Sequence, residues 1–388
     1  MTEKLYDLKP YDKEFDAKVI SCSSVMVNDE SLSDVVLDRT LFFPEQGGQT
    51  PDKGYLGTTV VVDVQVDKDE VVHHYCRGNI NTETVHGIID WEHRYNNMQQ
   101  HSGEHVFTGL AHNIYGAENV GFHLSDNVVT LDLDVDLTEE QVADLENRAN
   151  EVVYSNVAIY CYYPSDEELD NIEYRSKKEI AGAVRIVEIE GIDMCACCAP
   201  HVARTGEIGI IKVMSAIKYK GGVRVSFLCG RRALMDYRQK MAVIEKCYQP
   251  LSCMLEELPD KVTGLLNANK QLKYDLMNLK AQLLDTQIAL VKPEEKDVII
   301  FSSNLDVKVM RDAVNGLVEG HPGICAVFSG DDEMGYSFIL GSQTVDCKEI
   351  ADMLRNNHGG KCGGSGTMIQ GSVIIEKDVL LTSLLSCQ

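Results

Sequence analysis

Two pairs of potential metal ligands lie about a hundred positions apart, and any fold of this chain must accommodate both. His101 and His105 fall at i and i+4 in MQQHSGEHVFTGLAHNIYG (98–116), whose apolar residues recur at helical intervals and which ends on glycine. That spacing puts both imidazoles on one helix face, about 5–6 Å apart at Cβ, close enough to share an ion. Cys197 and His201 form C-x-x-x-H in CACCAPHVARTGEIG (195–209), where Pro200 and Gly206 predict a loop rather than a helix. HxxxH alone reads equally well as two stacked surface histidines. Joined by a thiolate and a third imidazole, it becomes an N₃S set that suits Zn²⁺. Glu104 precedes the second histidine instead of following the first, so it is expected on another face, unlike the glutamate of HExxH. Cys195 and Cys198 are rival ligands or packed neighbours.

The pattern around these motifs predicts an α+β protein in four parts. Residues 1–90 read as a β-barrel-like domain, with alternating runs such as TTVVVDVQV (58–66) and EVVHHY (70–75) separated by turns, including QGGQTPDKG (46–54). Residues 91–230 read as a zinc-binding α+β domain. Its second helix is predicted over 137–155 with Thr138 as N-cap, a short one over 166–173, and strands around 128–137, 156–163, 184–189, 209–214 and 223–228. Residues 231–291 are helical in a different way. Val262, Leu265, Asn269, Leu272, Leu276, Leu279, Leu283, Thr286 and Leu290 recur at 3- and 4-residue steps. That is a coiled-coil seam, as a hairpin with 234–248 or between two copies. After KPEEK (292–296), residues 297–388 read as a small α/β domain whose helix runs into a glycine-rich loop, GGKCGGSGTMIQGS (359–372).

Composition narrows the function classes. The 388 residues are 44% hydrophobic and 25% charged, an ordinary globular balance that excludes fibrous and disordered classes. Thirteen cysteines behind a charged N-terminus without a signal-peptide core read as reduced thiols in a cytoplasmic protein. The net charge of −24 argues against indiscriminate binding of polyanions. From Arg204 to Lys246, however, ten Lys or Arg face three acids, whereas residues 1–90 carry eight against seventeen. Lys218, Lys220, Arg224, Arg231 and Arg232 are therefore candidate phosphate contacts; a solvated basic face is the plain alternative.

HSGEH and CCAPHVARTGEIG, preceded by FFPEQGGQTPDKG (42–54), closely resemble the editing domain of alanyl-tRNA synthetases and of the free-standing AlaX proteins. The helical segment and the glycine-rich end resemble the synthetases' C-terminal part, so the likeness is to the long AlaX type. The chain departs from the family pattern at Ala199-Pro200, at Gln46 in place of a third glycine, and at Ser365-Gly366-Thr367. The resemblance implies an ATP-independent trans-editing hydrolase that cleaves seryl- or glycyl-tRNA(Ala). It implies Zn²⁺ on His101, His105, Cys197 and His201, and a substrate wall at Gln46, Gly47, Gly48 and Gln49. A homodimer through 262–290 or the C-terminal domain is the expected assembly. A non-catalytic tRNA-binding module with a structural zinc is the alternative, because four protein ligands close a tetrahedral site.

Overall fold

The computed structural model describes residues 2–27, 29–125, 128–176 and 183–386. It divides into two compact units, residues 1–244 and 245–388.

The first unit opens with a closed six-stranded barrel. Its strands are β1 (Glu14–Val27), β2 (Glu30–Leu37), β3 (Gly54–Leu56), β4 (Thr59–Val66), β5 (Val72–Arg77) and β6 (Thr84–Ile89), in the order β1-β2-β5-β4-β3-β6. Val35, Leu56, Val64, Val72 and Cys76 alternate inward and fill it. Asp90 caps the next element, α1 (Trp91–Tyr115), which Gly116 ends in the left-handed conformation. Every side chain from Asn97 to Ala111 is buried, so this helix is a core element without a solvent face along that stretch.

Around α1 lie two small sheets and a covering helix. β7 (Asn119–Leu124), β8 (Val129–Leu133), β12 (Ile211–Tyr219) and β13 (Gly222–Cys229) pair antiparallel in the order β12-β13-β8-β7. β9 (Ile159–Tyr162), β10 (Ile186–Ile189) and β11 (Asp193–Ala196) form the second sheet. Helix α2 (Glu139–Ser155) begins with Thr138 and Gln141 in a reciprocal capping box and buries Val142, Leu145, Ala149 and Val153. The helix predicted over 166–173 is shorter, Asp166–Leu169. Asp170 and Glu173 would place negative charge at the negative end of its dipole, so the turn stops. Helix α3 (Gly230–Tyr248) follows β13 directly.

The longest helix of the second unit is α4 (Leu258–Ala289), started by Pro259 in its first turn. A mixed sheet follows, made of β14 (Val298–Ser302), β15 (Cys325–Asp331), β16 (Gly335–Gly341), β17 (Lys361–Gly364) and β18 (Met368–Val373), in the order β14-β15-β16-β18-β17. Helices α5 (Val307–Gly320), α6 (Cys347–His358) and α7 (Lys377–Leu385) pack on it. The stretch read as a glycine-rich loop is thus largely a β-hairpin. Glycines masked its period of two, but Ile369 and Val373 point to the core at alternating positions. On α4 the residue buried against the sheet is Leu284, off the expected seam. Seam residues Leu265, Leu272, Leu276, Leu279 and Leu283 are exposed in the single chain.

Candidate metal centre

The barrel, the helix and the loop after β11 meet at one point. There one ligand atom each from His101, His105, Cys197 and His201 lies within 4.8 Å of the other three. The three histidines are buried, and their ring centroids are 5.6 Å (101 to 105), 5.0 Å (101 to 201) and 4.7 Å (105 to 201) apart. Cys197 Sγ is 3.5 Å from His101 Nε2.

Each imidazole is fixed from behind through Nδ1. For His101 the partner is Gln49 Oε1, at 2.9 Å; for His201 it is Ser102 Oγ, at 3.1 Å; for His105 it is Asp193 Oδ2, at 2.8 Å. An Nδ1–H that donates to such an acceptor leaves Nε2 as the lone-pair nitrogen, the form a metal takes. His201 Nε2 is buried without any hydrogen-bond partner. An orphaned nitrogen facing two imidazoles and a thiol is costly unless a cation sits among them, so the residues present fit a zinc ion.

The surroundings shift the two histidines in opposite directions. Burial lowers the pKa of His105, but the Asp193 hydrogen bond and the Glu104 and Cys195 charges lift it to about 9. His201 falls well below the usual histidine value, through burial first and then the like charges of His105, His101 and Arg185. Burial raises the Cys195 thiol to about 11 and Cys198 to about 12, which makes both poor competitors as ligands. Cys195 does form a second grouping with His105 and Asp193. Arg175, however, donates to Asp193 Oδ1 at 2.9 and 2.7 Å and to Thr108 Oγ1 at 3.1 Å, supplying the cation there itself.

Local sequence explains the convergence. Gly109 of α1 lies so near the turn before β11 that a Cβ would sit 2.4 Å from Ile192 O, and this approach brings Asp193 to His105. Gly48, at φ +81°, approaches Phe122, whose ring is 4.9 Å from that of His101. The Gln46–Gln49 turn is closed by Gln49 N–H donating to Gln46 O at 3.1 Å, and Leu124 N–H donates to Gly48 O at 2.7 Å. Arg185 holds the C-x-x-x-H loop, donating from one nitrogen to Cys197 O at 3.0 Å and Ala199 O at 2.8 Å. Glu104, expected on another face, is buried beside the cluster, with Oε2 3.8 Å from His105 Nε2 and Oε1 accepting from Asn119. The helix is buried all round here, so its other faces are interior as well. Ser102, Asp193, Arg175 and Arg185 escaped the sequence reading. Ser102 alone had a local signal, since it lies between the two histidines.

Comparison with known proteins shows what the chain is similar to. Residues 184–225 match the family described as the threonyl and alanyl tRNA synthetase second additional domain, and residues 4–93 match class II (A) tRNA synthetases. The chain is 26% identical to alanyl-tRNA editing protein AlaX-L of Pyrococcus horikoshii over 96% of its own length and 95% of that protein. It is 30% identical to alanyl-tRNA editing protein Aarsd1 of Mus musculus over 70% of each chain. The chain belongs to the AlaX-type alanyl-tRNA editing proteins. Against the alanine–tRNA ligase of Ignicoccus hospitalis it is 27% identical over 99% of its length, spanning 42% of that enzyme.

In this family member the candidate phosphate contacts are largely engaged. Arg224 pairs with Asp132 at 2.5 and 2.7 Å and stacks on Tyr219 at 3.7 Å. Arg232 donates to Ser125 O and Asn97 Oδ1 at 2.7 and 2.9 Å. Lys218 and Arg231 are exposed but each meets one carboxylate, Asp136 and Glu92, at 2.7 and 2.8 Å. Lys220 lies over the Tyr219 ring. No described cysteine is in a disulfide; Cys387 lies outside the described residues.

Proposed function

We propose that this chain is a trans-editing hydrolase that removes serine, and glycine as a second substrate, from mischarged tRNA(Ala). The reading has it cleave the ester to the terminal adenosine at a Zn²⁺ held by His101, His105, Cys197 and His201. The observation that carries it is the meeting of those four ligand atoms within 4.8 Å around a buried, unbonded His201 nitrogen. Names of relatives support the substrate: the proteins of similar length are called alanyl-tRNA editing proteins.

An aminoacyl ester is already activated, so the residues mainly have to place it, exclude competing groups and present water. Bound zinc would polarise a carbonyl or bring the pKa of a water towards about 7. The Gln46–Gln49 turn is the proposed wall against the amino-acid side chain, and Lys218, Lys220 and Arg231 the phosphate contacts reached once tRNA displaces their weak surface partners. Arg224 and Arg232, tied inward, are proposed to shape that face rather than grip. The editing core is assigned to residues 91–230, after the barrel of 1–90, in a cytoplasmic protein. Two copies pair through the exposed seam of 262–290, and L272E with L276E is expected to turn a dimer into a monomer in sedimentation.

The test is deacylation of seryl-, glycyl- and alanyl-tRNA(Ala) with and without chelator. Loss of the mischarged esters alone, abolished by chelation and restored by zinc, is the expected result. Saturable tRNA binding without deacylation above the uncatalysed rate would replace this reading by a binding module with a structural zinc.

A further inference from the structure

The three groups that fix the imidazoles differ in one respect. Asp193 spends both oxygens, one on His105 and one on Arg175. Ser102 Oγ meets His201 Nδ1 and the Val202 N–H, at 3.1 and 3.2 Å. Gln49 alone of the three keeps an atom unbonded: its amide nitrogen is buried without a partner, on a residue 1% exposed. Chemistry fixes which end of the amide faces His101. With Nε2 of that ring reserved for an ion, Nδ1 carries the proton and only a carbonyl oxygen can accept it. The amide N–H₂ is therefore held beside the cluster, pointing away from the ring, with nothing to donate to. A buried amide donor left unpaired is destabilising, a cost that a bound partner would remove.

We propose that Gln49 donates this N–H to the carbonyl oxygen of the ester, which gains charge as water adds. The assignment rests on the hydrolase reading above and names the atom that would serve it. In the step, the water oxygen bonds to the acyl carbon and the carbonyl π pair moves onto its oxygen, where Gln49 meets it. That pair then re-forms the carbonyl as the bond to the ribose oxygen breaks, and the ribose oxygen takes the proton lost by the water. A donor already in place, and fixed by His101 in one orientation, needs no rearrangement when charge develops. Gln49 thus has two separable duties, positioning His101 through oxygen and meeting the oxyanion through nitrogen.

Q49E separates them. A glutamate oxygen still accepts from His101 Nδ1–H, as Asp193 does for His105, but the second oxygen cannot donate. Zinc affinity by competition with a chromogenic chelator, and the absorption of the Co²⁺ form, are expected to match wild type. At saturating zinc, kcat on seryl-tRNA(Ala) is expected to fall about 100-fold, the scale for loss of one oxyanion donor. Q49M, which lacks both functions, is expected to lose zinc affinity as well. A Q49E that keeps wild-type kcat, or loses metal and activity together, overturns the assignment. Wild-type protein without any deacylase activity would instead overturn the hydrolase reading.

Discussion

Helix α1 and the loop at Cys197–His201 each supply two candidate ligands, and they are held by opposite means. The helix is buried on all sides and pinned to the barrel's 41–53 segment by side chains. Arg94 meets Asp52 at 2.9 Å, His93 Nε2 lies 3.0 Å from Pro51 O, and Gln49 reaches His101. The loop has no regular backbone pairing of its own. It is held through its carbonyls by Arg185 and through the Val202 N–H by Ser102. A ligand pair on a packed helix gets its geometry from the fold, whereas a pair on a loop depends on a few polar clamps. Damage to the first should appear as lost stability, and damage to the second as lost metal affinity.

The largest expected effect is on the helix side. Arg94 and Asp52 are both fully buried, and Asp52 also accepts from Phe43 N–H at 2.7 Å. Arg94→Ala leaves that carboxylate in the interior without its counter-charge, and removing one partner of a buried pair costs about 3–5 kcal/mol. Denaturant unfolding of the metal-free protein checks this. A shift under about 1 kcal/mol, the scale of an exposed pair, would mean that the helix is not anchored by this contact.

The same division explains what the sequence could reveal. The mixed class and the helices were legible because hydrophobic periods of two and 3.6 are local. The ligand types stood out because their spacing within each pair, i to i+4, is also local. The outer partners were not legible: Asp193 is 88 positions from His105, and Gln49 is 52 from His101. No local pattern tells a buried Gln that pins a ring from a turn residue. The long strands β1 and β2 were obscured by SCSS and SLSD, polar runs whose exposed side carries no apolar signal.

The barrel beneath the helix offers a pH handle on that side. His74 is fully buried, with Nδ1 2.9 Å from Val35 O and Nε2 2.8 Å from Thr40 Oγ1. Burial, opposed by the Val35 hydrogen bond and aided by the His73 charge, lowers its pKa to about 4. The folded pKa lies below the unfolded value near 6.5, so the stability is present above 6.5 and drains away as pH falls towards 4. The full difference is about 3 kcal/mol. The stability gap between wild type and H74Q should shrink by that amount from pH 7 to 4, measured by unfolding at each pH. A gap independent of pH would show His74 protonating freely in the folded barrel.

The smallest effect should fall on the loop, and in a different observable. Arg185→Met keeps the buried chain length but frees the carbonyls of Cys197 and Ala199, so the thiolate and His201 lose their fixed approach. Loss of an orienting partner behind a ligand set typically weakens metal affinity about 10–100-fold, which competition titration with a chelator resolves. The metal-free protein should meanwhile lose less stability than Arg94→Ala does, since the barrel contacts of α1 stay intact. Unchanged zinc affinity, or a stability loss as large as that of Arg94→Ala, would mean that helix and loop are supported alike. The four ligands would then form one rigid unit, and the contrast between a packed pair and a clamped pair would fail.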